Sequence, residues 1–170
     1  VDPINHTNNH DYNHKLKLLY VGQLINRKRP LDMLLALSKC DKTRFSLDVC
    51  GGGDLSDEMI NRTKKLGLEK NVFYHGIKSR EEIIKNMLNS DCLILPSEYD
   101  GWGAVVNEAM ESGLIVIVSS GVRAKSIIDE QFVFETGNIN QLTEIVNSLL
   151  ESPTIVNKHK LINKKNISNY

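Results

Sequence analysis

A chain of 170 residues with 21 Lys and Arg against 21 Asp and Glu has room for one ordinary domain and carries no formal net charge. That balance leaves no global basic field, so nucleic acid is excluded as the default partner. Its 41% hydrophobic and 25% charged residues exclude disorder throughout.

Residues 1–14 are rich in Asn and His, contain Pro3 and show no apolar period, so residues 1–15 read as a linker. His6, His10 and His14 recur every fourth residue, which on a helix would line one face as metal ligands. Nothing else there favours a helix and no acid or thiol joins them, so a flexible polar linker is the preferred reading. The chain opens on Val1 with no basic-then-apolar leader, and is expected to be a trimmed piece of something longer. Its longest apolar runs fall well short of the roughly 20 residues that cross a bilayer. Cys40, Cys50 and Cys92 are too few and too scattered for a zinc cluster or a disulfide framework. They read as small core residues in a reducing compartment.

From residue 16 the pattern changes. Residues 16–22 form an apolar run ending in Gly22, as a buried strand does, and residues 30–38 follow as a helix with Pro30 at its start. Residues 45–50 predict a strand closed by Gly51-Gly52-Gly53, and residues 54–66 a helix stopped by Gly67. Residues 72–75 predict a third strand, and residues 79–88 a helix opened by Ser79 with Glu82 three positions on, the pattern of a capping box. Residues 92–95 and 114–118 predict two more strands, with a helix over residues 103–112 between them. Residues 132–134 complete the strands, and residues 139–150 form an amphipathic helix before Pro153. Strands alternate with helices and several are apolar throughout. An α/β domain is therefore expected over residues 16–152, a doubly wound, Rossmann-like parallel sheet of about six strands, with its ligand over the carboxyl ends of those strands. Residues 153–170 read as the start of a further helical segment.

The loops after the strands are where chemistry is expected. The first, from Gly22 to Arg29, has one glycine and the cations Arg27, Lys28 and Arg29, so it does not cradle a pyrophosphate as a G-x-G-x-x-G turn does. It offers positive charge to one, or is a solvated basic loop. Gly51-Gly52-Gly53 brings the second loop close to something, or simply turns tightly. The fourth strand runs into Leu95-Pro-Ser-Glu-Tyr-Asp100-Gly-Trp-Gly103-Ala-Val-Val-Asn-Glu108. Gly101 and Gly103 expose backbone N–H groups at the start of a helix, where the macrodipole favours an anion. Glu108 lies about two turns farther on nearly the same face, roughly 10 Å away at 1.5 Å per residue. That is about the reach of a nucleoside diphosphate. Taken singly, Asp100 reads as a helix cap and Glu108 as an exposed helix residue.

The stretch Pro96-Ser97 through Asp100-Gly101-Trp102-Gly103 to Glu108-Ala-Met110 and Gly113 resembles the signature of the retaining glycosyltransferases of family four, which have the GT-B architecture. Tyr20-Val-Gly-Gln-Leu-Ile-Asn-Arg-Lys28, Val49-Cys-Gly-Gly-Gly-Asp54 and Asn71-Val-Phe-Tyr-His-Gly76 resemble that family's strand-and-cation turn, Gly-rich second turn and third strand, in order and in register. The resemblance covers only the C-terminal, donor-binding half of such an enzyme. It implies Lys28 on the donor diphosphate, backbone N–H groups of Gly101, Trp102 and Gly103 on the phosphates or sugar, and Glu108 on the ribose hydroxyls. It also implies Asp100 facing the transferred sugar where the family usually has Glu, and Gly76 and Ile77 meeting the base through their backbone. Lys28 and Asp100 would then be the catalytic pair. Gln23 stands where the family often has Arg, so a phosphate cation is missing or supplied by Arg27. Arg123 is a compensating cation or a loop residue.

What the resemblance implies is a transferase moving a sugar from a nucleoside-diphosphate sugar to a glycan, lipid or other acceptor, with no cofactor and no metal. Its partner would be an acceptor-binding domain in the same polypeptide, and its place the cytoplasm, with peripheral membrane association through that domain. The alternative is a stand-alone nucleotide-binding or regulatory module without catalysis. A phosphorylase would need a lysine for a pyridoxal Schiff base in a matching motif, and none is seen.

Overall fold

The computed structural model describes residues 15–101 and 104–167; the polar segment 1–14, with its three spaced histidines, lies outside them. The elements follow in the order β1 (Leu16–Val21), α1 (Pro30–Leu37), β2 (Phe45–Cys50), α2 (Ser56–Lys65), β3 (Val72–Gly76), α3 (Arg80–Leu88), β4 (Cys92–Leu95), α4 (Ala104–Glu111), β5 (Ile115–Ser119), β6 (Val133–Phe134), α5 (Ile139–Glu151) and α6 (Pro153–Ile167). All six strands form one sheet in the order β3-β2-β1-β4-β5-β6, and every pairing is parallel. The chain therefore builds outward from β1 to one edge, then returns to the centre to start β4 beside β1. The boundary between β1 and β4 is the topological switch point, where the loops on either side diverge and leave a crevice.

Apolar side chains leave the sheet in both directions. Leu16, Leu18 and Tyr20 of β1 join an apolar cluster with Met33, Leu34, Met59 and Leu142 from α1, α2 and α5. Leu19 points the other way, into a cluster with Met87, Val106 and Ala109 from α3 and α4. Strands buried on both faces must be apolar at every position, which is why β4 and β5 carry Leu, Ile and Val without alternation. Each such side chain contributes about 1.5–3 kcal/mol when fully buried.

Local chemistry sets the element ends. Helix α3 starts where the capping box requires: Glu82 N–H donates to the Ser79 hydroxyl at 3.3 Å, and Ser79 N–H to the Glu82 carboxylate at 2.9 Å. Helix α2 starts two residues later than the sequence suggests. Leu55 N–H is drawn to the Leu24 carbonyl at 2.9 Å and the Ser56 hydroxyl to the Gly53 carbonyl at 2.7 Å, so residues 54 and 55 belong to the loop. Phe132, expected in the last strand, lies in a short 3-10 turn capped by Asp129.

Helix α6 closes the end of the sheet opposite the loops that follow the strands. The Lys160 amine forms an ion pair with Asp91, a carboxylate 1% exposed at the entry to β4. Asp91 also accepts from Lys17 N–H at 2.8 Å, so one side chain joins the starts of β1 and β4 to α6. The His159 ring packs edge-on against Phe132, 5.7 Å between centroids. Cys40, Cys50 and Cys92 are all buried free thiols. Burial pushes the Cys40 thiol up to about 11 and raises Cys92 still further.

Candidate functional site

Because the strands are parallel, every loop that follows a strand lies at one end of the sheet. The loop after β1 is built against β2: Gly22 N–H donates to the Cys50 carbonyl and Leu24 N–H to the Gly52 carbonyl, both at 3.0 Å. This explains Gly51 and Gly53 of the triple glycine. A Cβ on Gly51 would stand 1.8 Å from the Gly22 carbonyl oxygen, and one on Gly53 2.5 Å from that of Leu24. The glycines let two backbones touch, and the approach they permit is to the chain itself.

Tyr20, fully buried in β1, donates its hydroxyl to the Gln23 carbonyl at 2.7 Å. Burial, helped by the negative charge of Asp100, pushes this phenol well above its ordinary range, so it stays a donor. The Gln23 side chain itself is exposed. Asn26–Lys28 then form a single 3-10 turn, and Arg29 takes a left-handed conformation with φ 48°. The strain is local and is held by a bond from Arg29 Nε to Asp32 at 2.8 Å.

The loop after β4 meets this turn across the switch point. Glu98 N–H donates to the Arg27 carbonyl at 2.9 Å, and the Arg27 guanidinium to the Tyr99 carbonyl at 3.0 Å. At the centre, Lys28 Nζ lies 2.5 Å from Asp100 Oδ2, with the two side chains only 16% and 17% exposed. The Ser97 hydroxyl reaches the same oxygen at 3.4 Å. Behind Asp100 stands the loop after β5: Asp100 N–H donates to the Gly121 carbonyl and Arg123 N–H to the Asp100 carbonyl, both at 3.1 Å. Gly121 permits this, since a Cβ there would meet the Glu98 carbonyl oxygen at 2.0 Å. Of the two readings of Arg123, its backbone thus has a definite part, fixing the loop that carries Asp100.

The loop after β3 forms a third wall. Gly76 is left-handed with φ 70°, and its carbonyl accepts from Gly51 N–H at 2.8 Å. Ile77 follows, 86% exposed, beside Gly52. Next along, Arg80 at the first position of α3 donates from Nε to Glu108 Oε1 on α4 at 2.9 Å. Glu108 is 18% exposed and Arg80 77%. Gly101 is half-buried, with open space where a Cβ would be. Trp102 and Gly103, the other expected backbone donors, lie outside the described residues.

The structure therefore joins Lys28 to Asp100 directly, ties Arg27 to Glu98 and Tyr99 of the same loop, and holds Glu108 by Arg80, which its sequence position alone does not single out. Arg80 was visible only as the second residue of a capping box. The available signal was topological: the first residue of a helix that follows a strand stands at the loop end of the sheet. Gly121 was missed because it meets a loop distant in sequence, and Tyr20 and Ser97 because the direction of a side chain that bonds only three residues away is set by the turn it closes. Among the described residues no three His, Cys, Asp or Glu side chains converge as a metal site requires.

A parallel six-stranded sheet with helices on both faces, its loops converging at the switch point, is the Rossmann-like architecture of GT-B glycosyltransferase domains. The chain belongs to the glycosyl transferases group 1 family, whose family model matches residues 2–168. It is similar to CapJ of Staphylococcus aureus, 24% identical over 165 residues that cover 95% of this chain and 42% of CapJ. It is also similar to glycogen synthase of Mycobacterium tuberculosis, 27% identical over 142 residues, 81% of this chain and 34% of the synthase. The chain spans less than half the length of these relatives. In structure it is similar to the catalytic domain of cholesterol-alpha-glucosyltransferase from Helicobacter pylori, with a TM-score of 0.80 at 18% identity, over 91% of this chain and 98% of that one. Anabaena HepE, solved in complex with UDP, superposes with a TM-score of 0.78 at 21% identity, over 91% of this chain and 45% of HepE.

Proposed function

We propose that this chain is the donor-binding half of a retaining glycosyltransferase, taking the nucleoside diphosphate of a nucleotide sugar across the β1–β4 switch point. The observation that carries the reading is the Lys28–Asp100 contact at 2.5 Å, which puts a cation and an acid from two distant loops at the mouth of that crevice. In this reading Lys28, aided by Arg27, meets the diphosphate, together with backbone N–H groups of Gly101, Trp102 and Gly103, the residues that precede α4 in the chain. Glu108 accepts the ribose hydroxyls, and Gly76 and Ile77 border the base. Asp100 faces the transferred sugar. Catalysis rests on stabilising the departing diphosphate, whose charge grows as the sugar–oxygen bond breaks. The UDP and UDP-glucose complexes of HepE support a nucleotide-sugar donor.

The acceptor would sit on a second domain of the same polypeptide, across a cleft from the loops described above. WaaG, a glycosyltransferase involved in lipopolysaccharide biosynthesis and similar in structure, supports a cell-envelope polysaccharide as product. In this reading the product is made in the cytoplasm or at the inner face of the membrane. Calorimetry with UDP, GDP and ADP, with and without excess EDTA, tests the reading. At least one nucleotide is expected to bind, weakly because one wall of the cleft is not in this chain, and to bind equally in EDTA. Strict dependence on Mg²⁺ or Mn²⁺ would count against it, as would silence toward all three nucleotides. Sugar transfer by the 170 residues alone is expected to be undetectable, because donor and acceptor must be held together for the reaction.

A further inference from the structure

We propose that Arg80 is a positioning residue that holds the Glu108 carboxylate ready for the ribose diol of a nucleoside diphosphate. The inference rests on the donor-site reading above. Two helices are involved, and neither makes the pair alone. Arg80 is the first residue of α3, where the capping box formed by Ser79 and Glu82 fixes its backbone. Its own helix offers Ile83 and Ile84 at the positions three and four ahead, so the usual intrahelical acid is missing. Lys78, beside it in the loop, is already paired with Glu82 at 3.5 Å. The guanidinium instead crosses to α4, and Nε donates to Glu108 Oε1 at 2.9 Å.

The asymmetry of the pair indicates which member serves the other. Glu108 is largely enclosed, while most of Arg80 remains in water. A pair between two exposed side chains is worth little, but a bond that fixes an enclosed acid decides where that acid points. A glutamate accepting from two neighbouring hydroxyls must hold its carboxyl plane in one orientation. A side chain with three free torsions would lose that freedom on binding, and the loss would weaken affinity. Arg80 removes the freedom before ligand arrives. It occupies one carboxylate oxygen with a single N–H and leaves the other to the diol. The same residue starts the helix that follows the loop of Gly76 and Ile77, so the wall facing the base and the acceptor of the ribose are joined through one side chain.

The test compares the 170-residue chain with R80A, R80K, E108A and R80A/E108A by calorimetry, after circular dichroism has shown each variant folded. The probes are UDP, GDP and ADP, their 2′,3′-dideoxy counterparts, and inorganic pyrophosphate. R80A is expected to lose about fivefold to tenfold in affinity for the ribose forms, the scale of ordering one rotamer-rich side chain on binding. It should leave the dideoxy forms and pyrophosphate unchanged. R80K should recover part of the loss, and the double variant should bind no more weakly than E108A. Equal affinity of R80A and parent for the ribose forms overturns the proposal, as does an equal loss across all probes, which a merely structural arginine would give. If E108A weakens ribose binding and R80A does not, the positioning role alone falls. If the parent binds none of the three nucleotides, the donor-site reading falls and this proposal with it.

Discussion

Glu108 and Gly121 show how differently single residues act in this site. In the proposed reading Glu108 is a ligand-facing acceptor, and its removal should leave the fold intact because α4 is anchored by Val106 and Ala109 on its other face. Glu108→Ala is expected to weaken nucleotide binding by about 1.5–3 kcal/mol, the range for a charged acceptor, and to leave pyrophosphate binding alone. Titration of both ligands against both proteins decides it. Gly121 touches no ligand in the proposed reading. A methyl group there would press on the Glu98 carbonyl, 2.0 Å away, and push out the loop carrying Asp100. Gly121→Ala should therefore cost about 1–3 kcal/mol of stability, measured by urea unfolding, and also lower nucleotide affinity. Normal stability in that variant would show that the loop yields freely.

Among the elements, α3 gives the sharpest expectation because its start is held by two reciprocal hydrogen bonds. Ser79→Ala should cost about 1 kcal/mol. The bonds that Ser79 offers Glu82, its backbone N–H foremost, hold that carboxyl below its ordinary range. A carboxyl lowered on folding contributes stability that is present above its unfolded pKa and lost as pH falls through the lower native one. The stability of the parent should thus fall faster below the normal carboxylate range than that of Glu82→Gln, whose amide can keep the cap without titrating. Parallel acid titrations of the two check it. This cap was legible in the sequence, as were the strands, because both depend on near neighbours: a Ser with Glu three residues on, and short runs of apolar residues, continuous in β4 and β5 and alternating in β2. The start of α2 was not, since the Leu24 carbonyl that detains Leu55 belongs to another loop. Lys28 and Asp100 were each legible as candidate site residues from their motifs. That they meet was not, because 72 residues separate them and only the strand order brings them together. Arg80 illustrates the same limit, an ordinary helix-start residue until α4 is placed beside it.

At the scale of the whole molecule, the sheet is fastened at its far end by Asp91, which Lys160 of α6 and the Lys17 backbone both engage. Lys160→Met would leave a carboxylate 1% exposed without that counter-charge. Lys160 itself is partly in water, so the expected loss is about 1–3 kcal/mol, below the full penalty of breaking a buried pair. Thermal unfolding with and without the substitution measures it. Cooperative unfolding can also be followed by chemistry. With Cys40, Cys50 and Cys92 all buried and their thiols held protonated by burial, a thiol reagent at neutral pH should modify none in the native protein. All three should react together on denaturation, and early labelling of one would reveal local opening around it.

The contact between Lys28 and Asp100 has a consequence for how binding responds to salt. A lysine alone in a crevice keeps mobile anions near it, and a diphosphate must displace them, so affinity falls as salt rises. Here the amine already has a resident anion that is part of the protein, so in the proposed reading an incoming diphosphate exchanges with a carboxylate that cannot diffuse away. Binding becomes a substitution within the site, weaker at low salt than an open lysine would allow and correspondingly less sensitive to ionic strength. Asp100→Asn removes the competitor, and should bind pyrophosphate more tightly than the parent at low salt, with a steeper decline as salt is added. The acid that the proposed chemistry turns toward the sugar thus also sets how tightly the empty site holds a bare diphosphate, and so how readily it lets one go.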